Sequence, residues 1–252
     1  MKLFQYWDSP DPPDEVARWV EGFRDRNPDL EHRLFDEAAA ADFIGAHYGS
    51  RELAAFRSLA MPAMQSDYFR LCALYRHGGV YVDADFEPRE PLNGLLRHAP
   101  HGMVLIWFNE MVNGLMLIRQ PADPFIGACL KLATDNIEQR RFRDASRQGR
   151  FHAVRLTAGI GLMNALWALI DETSPDLSLC EIPEHLRRKW DAPELLPFAR
   201  ETIDVTPDLT ASFRALTRLH MLETARWLGT PAPAYKETGR HWLKWEGEVY
   251  RD

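Results

Sequence analysis

Two aspartates, Asp83 and Asp85, stand in the stretch HGGVYVDADFEP at residues 77–88, after a short apolar run that opens on Gly78-Gly79. In an extended segment the side chains at i and i+2 point to the same side, so both carboxylates converge on one point just past a strand. Open α/β sheets place their ligands at that end. Two neighbouring carboxylates do not both stay ionised cheaply unless a cation sits nearby. Oxygen-only ligands suit Mg²⁺ or Mn²⁺ better than zinc, and such an ion keeps open positions that phosphate oxygens fill. Taken alone, the tripeptide is common and reads first as a solvated acidic turn.

The residues upstream change that balance. SDYFRLCALYRHGG reads as a helix with Ser66 as its N-cap and Gly78 or Gly79 as its stop. Asp67 and Arg70, three apart in the first turn of that helix, share one face. The chain then returns through Gly-Gly to the strand that carries the aspartates. An acid, a base and a metal site thereby meet around one polar ligand.

Other elements must hold that strand in place. KLFQYW is a strand candidate ending at the Pro-rich DSPDPPD. In DEVARWVEGFRDRNPD the residues Val16, Trp19, Val20 and Phe23 recur at helical spacing until Asn27-Pro28. EHRLFD is a second strand candidate, and EAAAADFIGAHYG a second helix. This alternation predicts a parallel-rich α/β sheet. Farther on, GMVLIWF and NGLMLI read as strands, DPFIGACLKLATDNI and LTAGIGLMNALWALIDE as helices, and LTASFRALTRLHMLETARWLG as a polar helical stretch.

With 252 residues, 46% of them hydrophobic and 27% charged, and no repeat or clear linker, the chain reads as one soluble globular domain over 1–252. A formal charge of −7 argues against nucleic acid as the partner. Cys72, Cys129 and Cys180 are far apart and lack metal-ligand spacing, as expected of reduced, buried thiols in a cytoplasmic protein. The opening residues hold no signal-like apolar region, and no apolar run approaches the roughly 20 residues that span a bilayer. The expected location is therefore cytoplasmic, or peripheral at the inner membrane face.

SDYFRLCALYRHGGVYVDADFEP resembles the sugar-binding, D-x-D-containing region of glycosyltransferase family 32, which is similar to the glucosylating clostridial toxins. The family pattern, S-D-x-x-R, an apolar helix, then G-G-h-Y-h-D-x-D, is met by Ser66, Asp67, Arg70, Gly78, Gly79, Tyr81, Asp83 and Asp85. More loosely, the opening strand ends in a tryptophan, NGLMLIRQPADPF is similar to the family's N-G strand and D-P-F helix, and LTAGIG resembles its T-G-P-G segment. RHWLKW is similar to the terminal H-W-x-x-S-W, with the serine missing.

The resemblance implies a GT-A fold, a Rossmann-like mixed sheet flanked by helices that binds a nucleotide-diphosphate sugar, and transfer with retention. Residues 1–120 would form the nucleotide-sugar half and 121–252 the acceptor side and C-terminal helical part. It implies Asp83 near the ribose and metal, Asp85 as a direct ligand of Mn²⁺ or Mg²⁺, and Asp67 and Arg70 on the donor sugar and phosphates. His241 would complete the metal shell; a surface histidine is the competing reading. Trp7 would stack on the base, or be an ordinary core tryptophan. Asn113 would touch sugar hydroxyls, or begin a tight Asn-Gly turn. A UDP-sugar is favoured over a GDP-sugar, with a glycan or lipid-linked acceptor in cell-surface polysaccharide assembly.

Two rivals remain. One is a non-catalytic sugar-nucleotide-binding module with the same fold. The other is a D-x-D phosphatase, disfavoured because Phe86 follows Asp85 and no Gly-Asp dipeptide occurs. The arginines of RRFRDASRQGRFHAVR, from Arg140 to Arg155, read as a solvated face or loop, with contact to anionic lipid, extended by HLRRKW, as the alternative.

Overall fold

The computed structural model describes residues 1–107, 110–144, 147–173, 194–231, 233–237, 241 and 244–251. Its centre is a six-stranded mixed sheet. In chain order the strands are β1 (Lys2–Tyr6), β2 (Glu31–Phe35), β3 (Gly79–Val82), the separate short β4 (Glu87–Pro88), β5 (Gly102–Trp107), β6 (Glu110–Ile118) and β7 (Thr217–His220). The sheet order is β2-β1-β3-β6-β5-β7. β1 runs parallel to β2 and β3, and β5 parallel to β7, whereas β6 is antiparallel to both β3 and β5.

The strand alternation sorts the core into two layers. Phe4, Tyr6, Tyr81 and Met116 face one side, under the helices α2 (Glu37–His47), α3 (Ser50–Ser58), α4 (Pro62–His77), α6 (Pro124–Glu138), α7 (Arg147–Thr157) and α8 (Ile160–Thr173). Leu3, Val80, Val82, Leu115 and Leu117 face the other, with Phe23 of α1 (Asp14–Arg26) and Leu95 of α5 (Asn93–Leu96). β3 is buried throughout, as a strand covered on both faces must be.

α4 begins earlier than the sequence suggests. Pro62 occupies its first turn after Met61, because the ring fixes φ and lacks only an N–H that a first turn leaves unpaired anyway. Ser66 is therefore no N-cap; it lies one turn inside, and its hydroxyl is engaged with Tyr81. Gly78 ends the helix at φ 62°, and Gly79 follows at φ 99°. At Gly79 a Cβ would stand 2.6 Å from the Lys2 carbonyl, so only glycine lets β3 lie this close to β1.

α6 (Pro124–Glu138) is capped by Asp123, whose carboxylate accepts from the Ile126 N–H at 3.1 Å. LTAGIGLMNALWALIDE is not one helix. α7 (Arg147–Thr157) and α8 (Ile160–Thr173) meet at 56° across Ala158-Gly159. The polar stretch after residue 209 is also divided. α9 (Leu196–Thr202) and α10 (Pro207–Ala215) precede β7, which leaves the helical pattern to pair with the open edge of β5. β8 (Leu228–Gly229) then pairs with β4, and a 3₁₀ turn follows at Ala234–Glu237.

Asn113-Gly114 is not a turn: both residues lie within β6. Cys72 and Cys129 are buried free thiols, and burial raises the pKa of each. Cys180 and HLRRKW lie outside the described residues, as do Arg240, Trp242 and Leu243 of the terminal motif. Among the described residues no single helix is long and apolar enough to cross a membrane.

Candidate functional site

Arg70 is the hub. It is 3% exposed on a helix packed against the sheet and against α6, so its charge must be met locally. Its Nη2 lies 2.9 Å from Asp67 Oδ1, 3.0 Å from Asp83 Oδ1 and 3.0 Å from Ser66 Oγ. Its Nη1 donates to the Asn113 carbonyl, and the guanidinium lies 4.4 Å over the Tyr81 ring. Asn113 Nδ2 in turn donates to Asp67 Oδ1 at 2.9 Å. The planar fork of an arginine makes all these contacts at once, which a lysine does not. Burial raises the pKa of Asp67, while Arg70 and Asn113 work in the opposite direction.

Asp83 leaves β3 with its N–H donating to the Gly114 carbonyl at 2.8 Å, and its own carbonyl accepts from Phe86 at 3.1 Å. Burial pushes its pKa up to about 7; Arg70 lowers it, and the charges of Asp85 and Asp67 raise it. Gly114 permits the approach of this carboxylate. A Cβ there would stand 2.8 Å from Asp83 Oδ2 and 2.8 Å from the Phe86 ring.

Asp85 is held from the far end of the chain. The Tyr235 hydroxyl donates to its Oδ2 at 2.7 Å, and Lys236 Nζ lies 2.8 Å from the same oxygen. The β4–β8 pairing delivers these two side chains, because it brings the C-terminal segment alongside the residues that follow the aspartates. Tyr235 also meets Trp7 edge-on at 5.0 Å and His241 at 6.2 Å between ring centroids.

These groups line one cavity of about 340 Å³. Trp7, Asp67, Arg70, Asp83, Asp85, Asn113 and His241, all the residues singled out from the sequence, are on its wall. Trp7 sits just past β1, 9% exposed, and among the described residues its buried Nε1 has no hydrogen-bond partner.

Sequence reasoning missed Tyr235 and Lys236, read Arg155 as part of a solvated basic face or a lipid contact, and marked Gly159 only within LTAGIG. Gly159, at the bend between α7 and α8, packs on Asp67, where a Cβ would lie 2.8 Å from Oδ2. Its one signal was the Gly in LTAGIG. Arg155 lines the cavity and is paired with the buried Glu110. Nothing in the sequence marks Tyr235 and Lys236.

The carboxylates suit a hard divalent cation. Asp8, Asp67, Asp83 and Asp85 line the cavity against Arg70, Arg155 and Lys236, and Arg155 is already matched by Glu110. The wall thus carries surplus negative charge, and its donors are oxygens. Among the described residues no three His, Cys, Asp or Glu side chains stand together as a ready ligand set. Asp83 and Asp85 would be the protein's contribution, with water and phosphate oxygens supplying the rest.

Comparison with known proteins finds glycosyltransferases. Residues 13–101 match the family described as "Glycosyltransferase sugar-binding region containing DXD motif", a span that includes Asp67, Arg70, Asp83 and Asp85. The initiation-specific alpha-1,6-mannosyltransferase of Schizosaccharomyces pombe is 27% identical over 90 residues, 34% of this chain. The match spans only 23% of that protein's length. The PaToxG glycosyltransferase structure aligns over 100% of this chain and 88% of its own at a TM-score of 0.50 and 14% identity, which speaks to the fold alone. The expected resemblance to DXD glycosyltransferases and the expected GT-A fold are both borne out.

Proposed function

We propose, from the DXD sugar-binding region carried by residues 13–101, that this chain is a metal-dependent retaining glycosyltransferase. It would take its sugar from a nucleotide-diphosphate donor, UDP-linked in preference to GDP-linked. The acceptor would be a glycan or lipid-linked saccharide in cell-surface polysaccharide assembly. The observation that carries the reading is the convergence of Asp67, Arg70, Asp83, Asp85 and Asn113 on one cavity that also holds Trp7.

Each residue has a task that its geometry suits. Trp7, on the cavity wall, would stack on the base. Arg70 opposes the burial that favours the neutral form of Asp67 and Asp83, and both carboxyls present oxygens to sugar or ribose hydroxyls. Asn113 orients Asp67. Lys236 supplies a positive charge beside Asp85, where the diphosphate would lie. A divalent ion, when bound, would offset the charge that develops on the departing diphosphate.

Asp67, the carboxylate deepest in the site, is held by Arg70 and Asn113, so it serves better as a hydroxyl acceptor than as a covalent nucleophile. Front-face displacement suits such a site: the acceptor hydroxyl attacks on the side from which the diphosphate departs, and the leaving phosphate takes the proton. That route needs positioning and electrostatics more than a dedicated base. The mannosyltransferase relative makes mannose one sugar to test.

The test is release of free nucleoside diphosphate from a panel of UDP- and GDP-sugars with Mn²⁺. Release that is abolished in Asp85→Ala supports the transferase. Donor binding without release, with any acceptor, favours the non-catalytic module. The grip of Tyr235 and Lys236 on Asp85 is the one observation on that module's side.

A further inference from the structure

Four large hydrophobic side chains are markedly exposed among the described residues: Met1, Trp107, Phe151 and Leu222. Two of them, Trp107 and Phe151, each connect to the Arg155–Glu110 pair beside the cavity wall. Trp107 closes β5 and pairs directly across the hairpin with Glu110, so the two side chains project to the same side. Glu110 is buried and ion-paired with Arg155. Arg155 lines the cavity, and its guanidinium lies 5.4 Å over the Phe151 ring one turn back along α7. On the other flank the His220 ring lies 5.7 Å from Trp107 at 35°, and Leu222 follows two residues later. A continuous path of contacts thus runs from the cavity wall at Arg155 through Glu110 to an exposed aromatic shelf.

We propose that this shelf is the acceptor subsite and that it binds a neutral pyranose. The inference rests on the transferase reading above and names the acceptor class for that same site. A pyranose has one face of C–H bonds and a rim of hydroxyls. The exposed rings of Trp107 and Phe151, 38% and 39% accessible, offer flat apolar surfaces to the first. Arg155 offers N–H donors to the second, and its pairing with the buried Glu110 cancels its charge, which suits an uncharged ligand. A partly exposed tryptophan costs apolar exposure in the free protein, and binding of a sugar face covers it. Because Arg155 belongs both to this shelf and to the donor cavity, a sugar seated on the shelf has its hydroxyls next to the site of transfer.

Saturation-transfer NMR on the full chain tests this, with methyl α-mannopyranoside, methyl β-glucopyranoside and methyl β-galactopyranoside as probes. Calorimetry with UDP or GDP and Mg²⁺ reports the donor cavity separately. At least one pyranoside is expected to bind at millimolar concentration. Trp107→Ala weakens it at least fivefold and Trp107→Tyr restores most of the binding. Phe151→Ala weakens it in the same direction. The proposal is overturned if no probe receives saturation, or if Trp107→Ala leaves the affinity unchanged. It is also overturned if Trp107 proves necessary only for sedimentation with vesicles of anionic phosphatidylglycerol, which would make the shelf a membrane contact. Nucleotide binding with no pyranoside binding sinks the subsite alone, whereas loss of nucleotide binding sinks the transferase reading.

Discussion

Tyr235 donates its hydroxyl to Asp85 across a sequence distance of 150 residues. It fixes one oxygen of the second aspartate while its ring braces Trp7 edge-on. Tyr235→Phe keeps the brace and removes the hydrogen bond. A bond to a charged acceptor contributes about 1.5–3 kcal/mol to the folded state, so the thermal midpoint should fall. Releasing the oxygen that Tyr235 fixes should also lower kcat/KM by roughly tenfold or more. Steady-state kinetics with a thermal melt decides it; an unchanged kcat/KM would mean that the tyrosine only packs.

Arg70 and Asp85 should separate stability from activity. Arg70→Met leaves Asp67 and Asp83 facing each other in a buried site without their cation. Breaking such a pair costs about 3–5 kcal/mol, and urea unfolding should show it. Asp85→Ala removes a carboxylate that Arg70 does not hold and relieves repulsion on Asp83. It should leave the urea midpoint within error of the parent while nucleoside diphosphate release disappears. A large destabilisation by Asp85→Ala would contradict this division.

Two glycines set the positions of two acids. A methyl at Gly114 would collide with Asp83 and Phe86, and one at Gly159 with Asp67 and the Val154 carbonyl. Gly114→Ala and Gly159→Ala should each destabilise by about 1–3 kcal/mol, as overpacking does. Turnover should fall by more than the change in folded fraction explains. Retained activity with unchanged donor KM in either variant would show that the carboxylates tolerate displacement.

His32 should make the protein acid-sensitive. It bonds the Gln5 side chain at 2.8 Å, and burial, with help from Arg24, lowers its pKa from 6.5 to about 4. Between those values the unfolded chain takes up a proton that the folded chain refuses. The stability contributed by neutral His32 is complete above pH 6.5 and drains away as pH falls towards 4. His32→Gln should flatten this part of the curve in urea titrations at pH 7 and pH 4.5; parallel losses in parent and variant would refute the assignment.

The first 118 residues were largely readable because most elements there carry their own signal. β1, α1, β2 and α2 follow from periodicity and from the Asn27-Pro28 break, and Gly78-Gly79 ends α4 where expected. The start of α4 was misplaced because Ser66 is a good cap in isolation, whereas Pro62 nucleates a turn earlier. α3 went unread. The bend at Ala158-Gly159 was invisible because the apolar spacing runs on through it, and the cause is tertiary: the chain turns where Gly159 must meet Asp67. β7 looked helical, since half-buried edge strands carry weak alternation and β5 supplies the order.

The site divides along the same line. Asp67, Arg70, Asp83 and Asp85 sit within twenty residues, and local geometry nearly determines their meeting. Trp7, Asn113 and His241 reach the same cavity, although the spacing of each taken alone allowed a structural reading just as well. Tyr235 and Lys236 could not be found, because a pairing of two residues per strand brings them in and no pattern announces it.

That small ribbon between Glu87-Pro88 and Leu228-Gly229 also has a bearing on biosynthesis. A ribosome that has released residues 1–226 has already made every acid of the cavity, yet not the side chains that neutralise and orient Asp85. The nascent protein would therefore lack one wall of the cavity until Leu228-Gly229 emerges and pairs with a strand made some 140 residues earlier. Proteolytic nicking beyond Trp227 should accordingly silence the molecule while sparing its sheet.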